Sequence, residues 1–262
     1  MKIAVYQIDA FTDHIFSGNP ALVIPLDDWL PDETMLCIAQ ENKLPIAVFY
    51  IRTGDRFQIR WFTPASESNL CGHGTLAAAF VIKHCYHYES QQIFFDSPSG
   101  ELVVTAVDEW IRLDFPVSTY KPALAPPALL EGLKGNKILE VLKSSLDYMV
   151  VLSSEQELVH LDYDIIVLST IPARGIIATA PGNEVDFVSR FFAPQSGIDE
   201  DPVTGSTHTL LTAYWAEKLS KTCLTARQLS ARGGYLNCQL AEGRVQISGQ
   251  AKLYLKGEID ID

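Results

Sequence analysis

The sequence predicts an α+β protein made of two similar halves, each with many short strands and few helices. Apolar runs with a period of two, separated by turn motifs, indicate hairpins in antiparallel sheets. The proline-rich segment PVSTYKPALAPPALL at 116–130 interrupts this pattern, which then begins again. We therefore predict one domain at 1–117 and a second at 118–249, with a strand at 250–262 as a candidate to complete the first domain.

The predicted elements follow from local pattern. A helix fits 31–43, because Pro31 suits a first helical turn and Leu44-Pro45 ends the pattern. Further helices are predicted at 74–87 and 206–218. Strands are predicted near 2–10, 21–25, 46–52, 57–63, 92–96, 101–107 and 110–115, and then near 137–143, 147–153, 163–169, 174–180, 224–230, 235–241 and 244–248.

The two halves share a motif, which indicates an internal duplication. WFTPASESNLCGHGT and FFAPQSGIDEDPVTGS both run from an aromatic pair through a proline to a polar residue before a helix. The offset is 194 − 64 = 130 for the prolines and 201 − 71 = 130 for Cys71 and Asp201. Allowing one inserted residue, Gly74 matches Gly205, and a helix is predicted after each copy.

The repeated motif brings glycines to two predicted helix starts, where unpaired N–H groups and the helix dipole favour an anion. Two such ends on one cleft would bind a carboxylate, with Gly72, Gly74, Gly205 and Ser206 as the substrate-binding backbone. Glycine would let the ligand approach the backbone closely. The alternative is that these are ordinary capped helices.

Composition limits the partners. Twenty basic and 32 acidic residues give a net charge of −12, and no basic stripe is present, so binding to nucleic acid or anionic membranes is not expected. No apolar run is long enough to cross a membrane, and the amino terminus MKIAVYQIDAF resembles a strand rather than a signal peptide. We therefore expect a cytoplasmic protein.

Five cysteines form no CxxC pair and have no spacing that suits zinc, so reduced thiols and no metal site are expected. The HCYH run at 84–87 has metal-capable residue types but no third ligand, and is read as a solvated helix end. No GxGxxG motif or P-loop is present, so a nucleotide cofactor has no support.

Three stretches resemble the PhzF-like (phenazine biosynthesis) family, which shares the diaminopimelate epimerase fold. They are QIDAFTDHIFSGNPALVI from Gln7, RWFTPASESNLCGHGTLAAAF from Arg60 and DFVSRFFAPQSGIDEDPVTGSTHTLL from Asp186. The resemblance implies two pseudo-symmetric domains of antiparallel strands, each wrapped around a central helix, with the active site in the cleft between them. It also implies an isomerase that moves a proton on a small carboxylated substrate without a cofactor. Because members of the family often dimerise, the resemblance implies a homodimer as well.

One departure from the family concerns its acid/base residue. The family usually reads NLSETAF after the first helix, with a glutamate that shuttles the proton, whereas this chain reads NKLPIAVF and has Ile46 there. An alkyl group carries no proton, and general acid–base groups contribute about 10²–10⁴-fold in rate. The chain therefore needs another proton carrier or has lost the chemistry.

Three residues are candidates to take over the proton transfer. In the related epimerases two cysteines, one in each half, face each other across the substrate carbon, and Cys71 and Asp201 hold those positions here. Cys71 is also typical of a core thiol, and Asp201 of a residue that complements a helix dipole. His73 is a hydrogen-bond donor or proton relay if it lies in the site, and a structural contact otherwise.

Two further residues complete the candidate site. Asn19 follows Gly18 as a turn residue would, although the family pattern places it in the cleft. Ser206 fits a helix cap first and a ligand hydroxyl second. Two functions stay open: an isomerase or epimerase that uses Cys71, His73 and Asp201, or an impaired family member that only binds a small carboxylate or a protein partner.

Overall fold

The computed structural model describes residues 1–261. The elements of the first part of the chain are β1 (Lys2–Ala10), β2 (Asn19–Leu26), α1 (Asp32–Asn42), β3 (Ile46–Thr53), β4 (Arg56–Phe62), β5 (Glu67–Ser68), α2 (Gly72–Phe80) with a π-helical turn at Val81–Cys85, β6 (Gln92–Ser97), β7 (Gly100–Val107) and β8 (Trp110–Pro116). The remaining elements are β9 (Lys121–Pro122), α3 (Pro127–Gly132), β10 (Glu140–Lys143), β11 (Asp147–Val151), α4 (Glu155–Val159), α5 (Ile165–Leu168), β12 (Gly175–Pro181), β13 (Phe187–Phe192), 3-10 turns at Pro194–Ser196 and Gly205–Thr207, α6 (His208–Leu219), β14 (Cys223–Gln228), β15 (Gly234–Ala241), β16 (Arg244–Gly249) and β17 (Ala251–Asp260).

The chain divides into two compact units. The first contains Met1–Asp114 together with Ser248–Asp262, and the second is the continuous segment Phe115–Ile247. The sequence-based limits, 117 and 249, differ from these by three and two residues. The carboxyl-terminal strand β17 belongs to the first unit, where it pairs along the whole length of β1.

The two units use the same strand-pairing scheme. In the first, β17, β1 and β2 are antiparallel neighbours, β2 and β3 are parallel, β3 and β4 antiparallel, β4 and β6 parallel, and β6 and β7 antiparallel. In the second, β9, β10 and β11 are antiparallel, followed by the pairs β11–β12 parallel, β12–β13 antiparallel, β13–β14 parallel and β14–β15 antiparallel. This repetition confirms the predicted pseudo-symmetry.

A buried helix lies at the centre of each unit. In α2 the six consecutive residues from Gly74 to Ala79 are buried, and the helix contacts β1, β2, β3, β7 and β17. In α6 nearly every residue from His208 to Ala216 is buried, with contacts to β14 and β15. A helix that is apolar all round is stable only when it is enclosed, so the strands wrap around it as predicted.

The outward face of each sheet is covered by the shorter helices. Met35 and Ile38 of α1 pack on Ala47, Phe49 and Phe62 of β3 and β4. In the second unit, residues of α3, α4 and α5 pack on the outward residues of β11, β12 and β13. Because side chains alternate along a strand, the other residues of these strands face the central helix.

Among the strand pairs described for residues 1–261, four are parallel, although the sequence predicted hairpins in antiparallel sheets. A parallel pair needs a crossover connection, and helices supply it here. The crossover from β2 to β3 contains α1, and that from β4 to β6 contains α2. In the second unit α4 and α5 lie between β11 and β12, and α6 lies between β13 and β14.

The strand predicted at 163–169 is wrong, because Ile165–Leu168 is the short helix α5. The Asp164 carboxylate accepts hydrogen bonds from the N–H groups of Ile166 and Val167, and this cap decides the conformation of an apolar run that would also suit a strand. Strand β13 was not predicted, and the proline-rich segment contains α3. Within the part of the chain that is described, no helix has the length and apolar character needed to cross a bilayer.

Candidate active site

The start of α2 carries the first set of candidate residues. Cys71 is the N-cap residue in an extended conformation, and its carbonyl accepts hydrogen bonds from the N–H (2.9 Å) and hydroxyl (2.7 Å) of Thr75. The following first-turn N–H groups have no carbonyl partner one turn earlier. This helix end therefore has the geometry that favours an anion.

Gly74 has a packing role at this helix end. A Cβ atom here would lie 2.8 Å from Val48 Cγ2 and 3.0 Å from Trp61 Cδ1, which is closer than carbon atoms approach without a shift. The missing side chain lets α2 lie directly on β3 and β4. The sequence predicts that Gly74 lets a ligand approach the backbone, and the contacts with Val48 and Trp61 give a different reason for its lack of a side chain.

Cys71 and His73 lie side by side. The Cys71 Sγ is 3.5 Å from His73 Nδ1 and 4.0 Å from Nε2. Burial lowers the pKa of His73 to about 4, so the imidazole is neutral at pH 7. It therefore brings no positive charge to favour a Cys71 thiolate, but a neutral ring can still donate one hydrogen bond and accept another.

Asn19 and Ile46 begin the neighbouring parallel strands β2 and β3, so both lie at one end of the sheet. Ile46 is only 2% exposed, and it shares a strand face with Val48, which lies against α2. Asn19 is fully buried and shares its face with Ala21, the cross-strand neighbour of Ile46. The position at which the family resemblance implies a glutamate is therefore occupied by the apolar Ile46, on the side of the sheet that carries α2.

Asp201 lies in a tightly bonded loop of the second unit. The residue is 7% exposed, its N–H donates to the Phe191 carbonyl at 3.0 Å, and its carboxylate accepts the Thr204 hydroxyl. The buried Gln228 side chain donates to the Asp201 carbonyl at 2.7 Å and accepts the Thr204 N–H at 2.9 Å. These bonds hold the carboxylate in a fixed position.

Ser206 lies in the 3-10 turn that leads into α6, one residue after Gly205. Its Oγ accepts a hydrogen bond of 2.9 Å from Arg174 Nη1. The hydroxyl proton of Ser206 therefore remains available to donate to a ligand. The same guanidinium makes a two-point ion pair with Asp147, with a distance of 2.8 Å from Nε to Oδ1.

The sequence analysis missed Arg174 and Asp147. Asp147 begins β11 as Asn19 begins β2, so the internal duplication could have identified Asp147 as a candidate residue. Arg174 stands just before β12 and its guanidinium carbon lies 5.4 Å from the Phe191 ring centre. Together they hold the Ser206 side chain at the start of the second helix.

We expect Arg174→Met to lower the free energy of unfolding by about 3 kcal/mol, because it leaves the buried Asp147 carboxylate without its partner. Urea denaturation at pH 7 measures the change. Arg227→Met is the matched control in the same unit, since its partner Glu184 is 82% exposed, and it should cost less than about 0.5 kcal/mol. Equal losses in the two variants would contradict this role for the pair.

His208 begins α6 and is completely buried. Its Nδ1 lies 2.8 Å from the Thr204 carbonyl, which requires Nδ1–H as the donor. Nε2 is buried with no hydrogen-bond partner among residues 1–261. Burial lowers the pKa of His208 to about 4, so this ring is also neutral at pH 7.

His208 should make the protein less stable in mild acid. The unfolded residue binds a proton below about pH 6.5 and the folded one only near pH 4, so protonation favours the unfolded state over that range. At pH 5 the cost is about 2 kcal/mol relative to pH 7. Urea unfolding of His208→Gln should show a pH dependence smaller by that amount, with the exposed His160→Gln as control. An unchanged pH dependence in His208→Gln would refute the assignment.

Other titratable side chains in or near the motifs, Glu67 and His84, have structural partners. Glu67 makes a two-point ion pair with Arg60, with both distances at 2.7 Å. His84 lies against Phe80, with ring centres 4.6 Å apart. Across residues 1–261, no three His, Cys, Asp or Glu side chains are grouped as metal ligands.

Both the sequence and the fold of the chain match those of one protein family. The family model for phenazine biosynthesis-like protein (PhzC-PhzF) matches residues 8–257. A protein named as an uncharacterized isomerase of Pseudomonas aeruginosa is 44% identical over 261 residues, covering all of both chains. A crystal structure of a PhzF family protein from Enterococcus faecalis covers both chains completely, with 42% identity and a TM-score of 0.96.

A more distant structure extends the likeness of fold. A protein described as a predicted epimerase from Pseudomonas aeruginosa has a TM-score of 0.76 and 20% identity, covering 99% of this chain and all of its own. At that identity the comparison shows the fold alone. The expected resemblance to the family and the α+β epimerase-type fold are both confirmed.

Proposed function

The chain belongs to the phenazine biosynthesis-like family, and from this membership we propose that it is an epimerase-type isomerase that moves a proton on a small carboxylated substrate. One observation carries the proposal. Each unit presents a helix start with a proton-carrying side chain beside it, Cys71 with His73 in the first and Asp201 in the second. The start of α2 and the turn before α6 would bind the carboxylate through backbone N–H groups.

The proposed chemistry is a proton transfer next to the substrate carboxylate. The Asp201 carboxylate takes the proton from the carbon, and the electron pair left behind is delocalised into the carboxylate at the helix starts. Cys71 then returns a proton from its S–H to the carbon. Solvent supplies the proton that restores the thiol, and the neutral His73 ring relays it by accepting a proton at one nitrogen while donating one from the other. Asp201 releases its proton to solvent, which completes the cycle. The proposal requires the two helix starts to converge on one ligand, which a structure with a bound carboxylate would test.

Ser206 has a defined part in this proposal. Arg174 donates to the Oγ of Ser206, and the Ser206 hydroxyl keeps its own proton to donate to a carboxylate oxygen. Asn19 is a buried polar residue at the start of β2 in the first unit, and the proposal includes it among the substrate-binding residues. In this proposal the enzyme needs no cofactor and works as a homodimer, both of which rest on the family resemblance. Its location in the cytoplasm is proposed from the sequence pattern.

Hydrogen exchange tests the proposed function. Purified protein in deuterated water, incubated with a panel of small carboxylic acids, should incorporate deuterium at a C–H position next to the carboxylate of one of them. Asp201→Asn should lower that rate by about 10²–10⁴-fold. Asp199→Asn, an exposed acid two residues away, is the control and should leave the rate unchanged. Binding of a carboxylate without any exchange would favour a protein that only binds, and would reject the isomerase.

A further inference from the structure

The first unit contains a cavity at the end of β3 opposite to Ile46. Its volume is about 580 Å³, which lies within the range of small-molecule sites in proteins. The wall is mainly apolar and aromatic, and includes Pro25, Leu26, Tyr50, Phe57, Ile82 and Tyr86. None of the candidate active-site residues lines it.

The cavity is lined by residues at and just beyond the end of the central helix. The π-helical turn ends at Cys85, and Ile82, Tyr86 and Tyr88 line the cavity together with residues of β3 and β4, which form its floor. Tyr50 and Phe57, both less than 5% exposed, belong to that floor. Their rings lie edge to face with centres 5.8 Å apart, and Tyr88 continues the series at 5.4 Å from Phe57. Such a wall suits a flat aromatic ring.

Opposite charges lie at the mouth of this cavity. The parallel register pairs Leu26 with Ile51, which places Asp27 beside Arg52 on the next strand, and both residues line the cavity. The Arg52 guanidinium carbon lies 5.4 Å from the Tyr88 ring centre and 5.9 Å from that of Phe57.

Arg52 and the two aspartates Asp27 and Asp28 retain hydrogen-bonding groups that are available to a ligand. Arg52 Nε donates to the Gly54 carbonyl at 3.0 Å, which leaves the two terminal nitrogens. Within the described chain, no ion pair of 4.0 Å or less involves Arg52, Asp27 or Asp28. A guanidinium is suited to a carboxylate, and the two aspartates to an ammonium group.

We propose that this cavity is a second ligand site, selective for an aromatic amino acid. The ring packs against Tyr50, Phe57 and Tyr86. The carboxylate of the ligand binds Arg52, and its ammonium group binds Asp27 or Asp28. The site is independent of the proposed isomerase activity, because its residues lie at the other end of the sheet.

Titration calorimetry with three matched probes tests the proposal. L-tryptophan carries the ring and both charges, tryptamine lacks the carboxylate, and indole-3-propionate lacks the ammonium group. L-tryptophan should bind at least fivefold more tightly than either of the other two. Failure of L-tryptophan to bind at millimolar concentration, or discrimination below fivefold, would overturn the proposal.

Variants assign the binding to this cavity. Arg52→Gln should weaken L-tryptophan binding at least tenfold, and Ala4→Phe, which places a ring in the cavity, should abolish it. The exposed Arg112→Gln is the control and should bind as wild type. Unchanged binding in Arg52→Gln would overturn the site. So would a change of oligomeric state caused by Ala4→Phe or Arg52→Gln in sedimentation, because the cavity would then be an interface between copies.

Discussion

Ile46→Glu is expected to raise C–H exchange on a dihydroxylated cyclic acid by about 10²-fold or more over wild type. The residue lies on the side of β3 that faces α2. The family resemblance implies a proton-shuttling glutamate at this position. A correctly placed general acid/base contributes about 10²–10⁴-fold, so restoring the carboxyl group should restore a large part of that factor. Deuterium incorporation followed by mass spectrometry measures the rate.

The control is Ile46→Gln, because glutamine has nearly the same size and polarity as glutamic acid but carries no ionisable proton. Both variants should be less stable than wild type, because position 46 is 2% exposed and a buried polar group without a partner costs about 1–3 kcal/mol. If Ile46→Glu is folded and exchanges no faster than Ile46→Gln, position 46 is not the missing proton carrier. A wild-type rate that disappears in Asp201→Asn would then place the chemistry on Asp201 and Cys71.

Gly18→Ala is expected to lower the free energy of unfolding by more than about 3 kcal/mol. Gly18 has φ = +67°, and a Cβ atom there would lie 2.2 Å from the Ala10 carbonyl oxygen. Backbone cannot move aside as a flexible side chain can, so the clash adds to the about 1–2 kcal/mol that a positive φ costs a residue with a side chain. Urea denaturation measures the loss.

Gly54 is the matched control for Gly18. It has φ = +66°, and a Cβ atom there would have no heavy atom within 4 Å. Gly54→Ala should therefore cost only the conformational part, about 1–2 kcal/mol. Similar losses in the two variants would show that conformation alone, and not the contact with Ala10, fixes the turn before Asn19.

The sequence predicts the fold well where pattern and duplication agree. The 130-residue offset between Cys71 and Asp201 predicted a duplication with a helix after each copy of the motif, and the two units do share one pairing scheme. The central position of each helix was implied by the family resemblance. The hydrophobic pattern gave a wrong prediction at 163–169, where the apolar run suits either a strand or a helix and the Asp164 cap selects the helix. The prediction of antiparallel hairpins was also wrong for the parallel pairs, such as β2–β3 and β11–β12, because these pairs depend on crossover helices that close only in three dimensions.

The candidate site was predictable to a smaller degree. Motif and spacing identified the residues at the two helix starts, from Cys71 to Gly74 and from Asp201 to Ser206. They did not identify Arg174, whose role depends on a guanidinium that reaches both Asp147 and Ser206 across 27 and 32 residues. Nor did they show that His73 is neutral, since burial, which lowers its pKa, is a property of the folded chain.

The pairing of β17 with β1 has a consequence for synthesis of the protein. The ribosome delivers Met1–Asp114 first, yet β1 lacks one of its two antiparallel neighbours, β17, until Ala251–Asp260 has emerged. The second unit is continuous in sequence, so it has all of its strands while the first is still incomplete. The part of the molecule that is made first is therefore finished last, and until then the nascent chain carries an open strand edge of nine residues that a chaperone would need to shield.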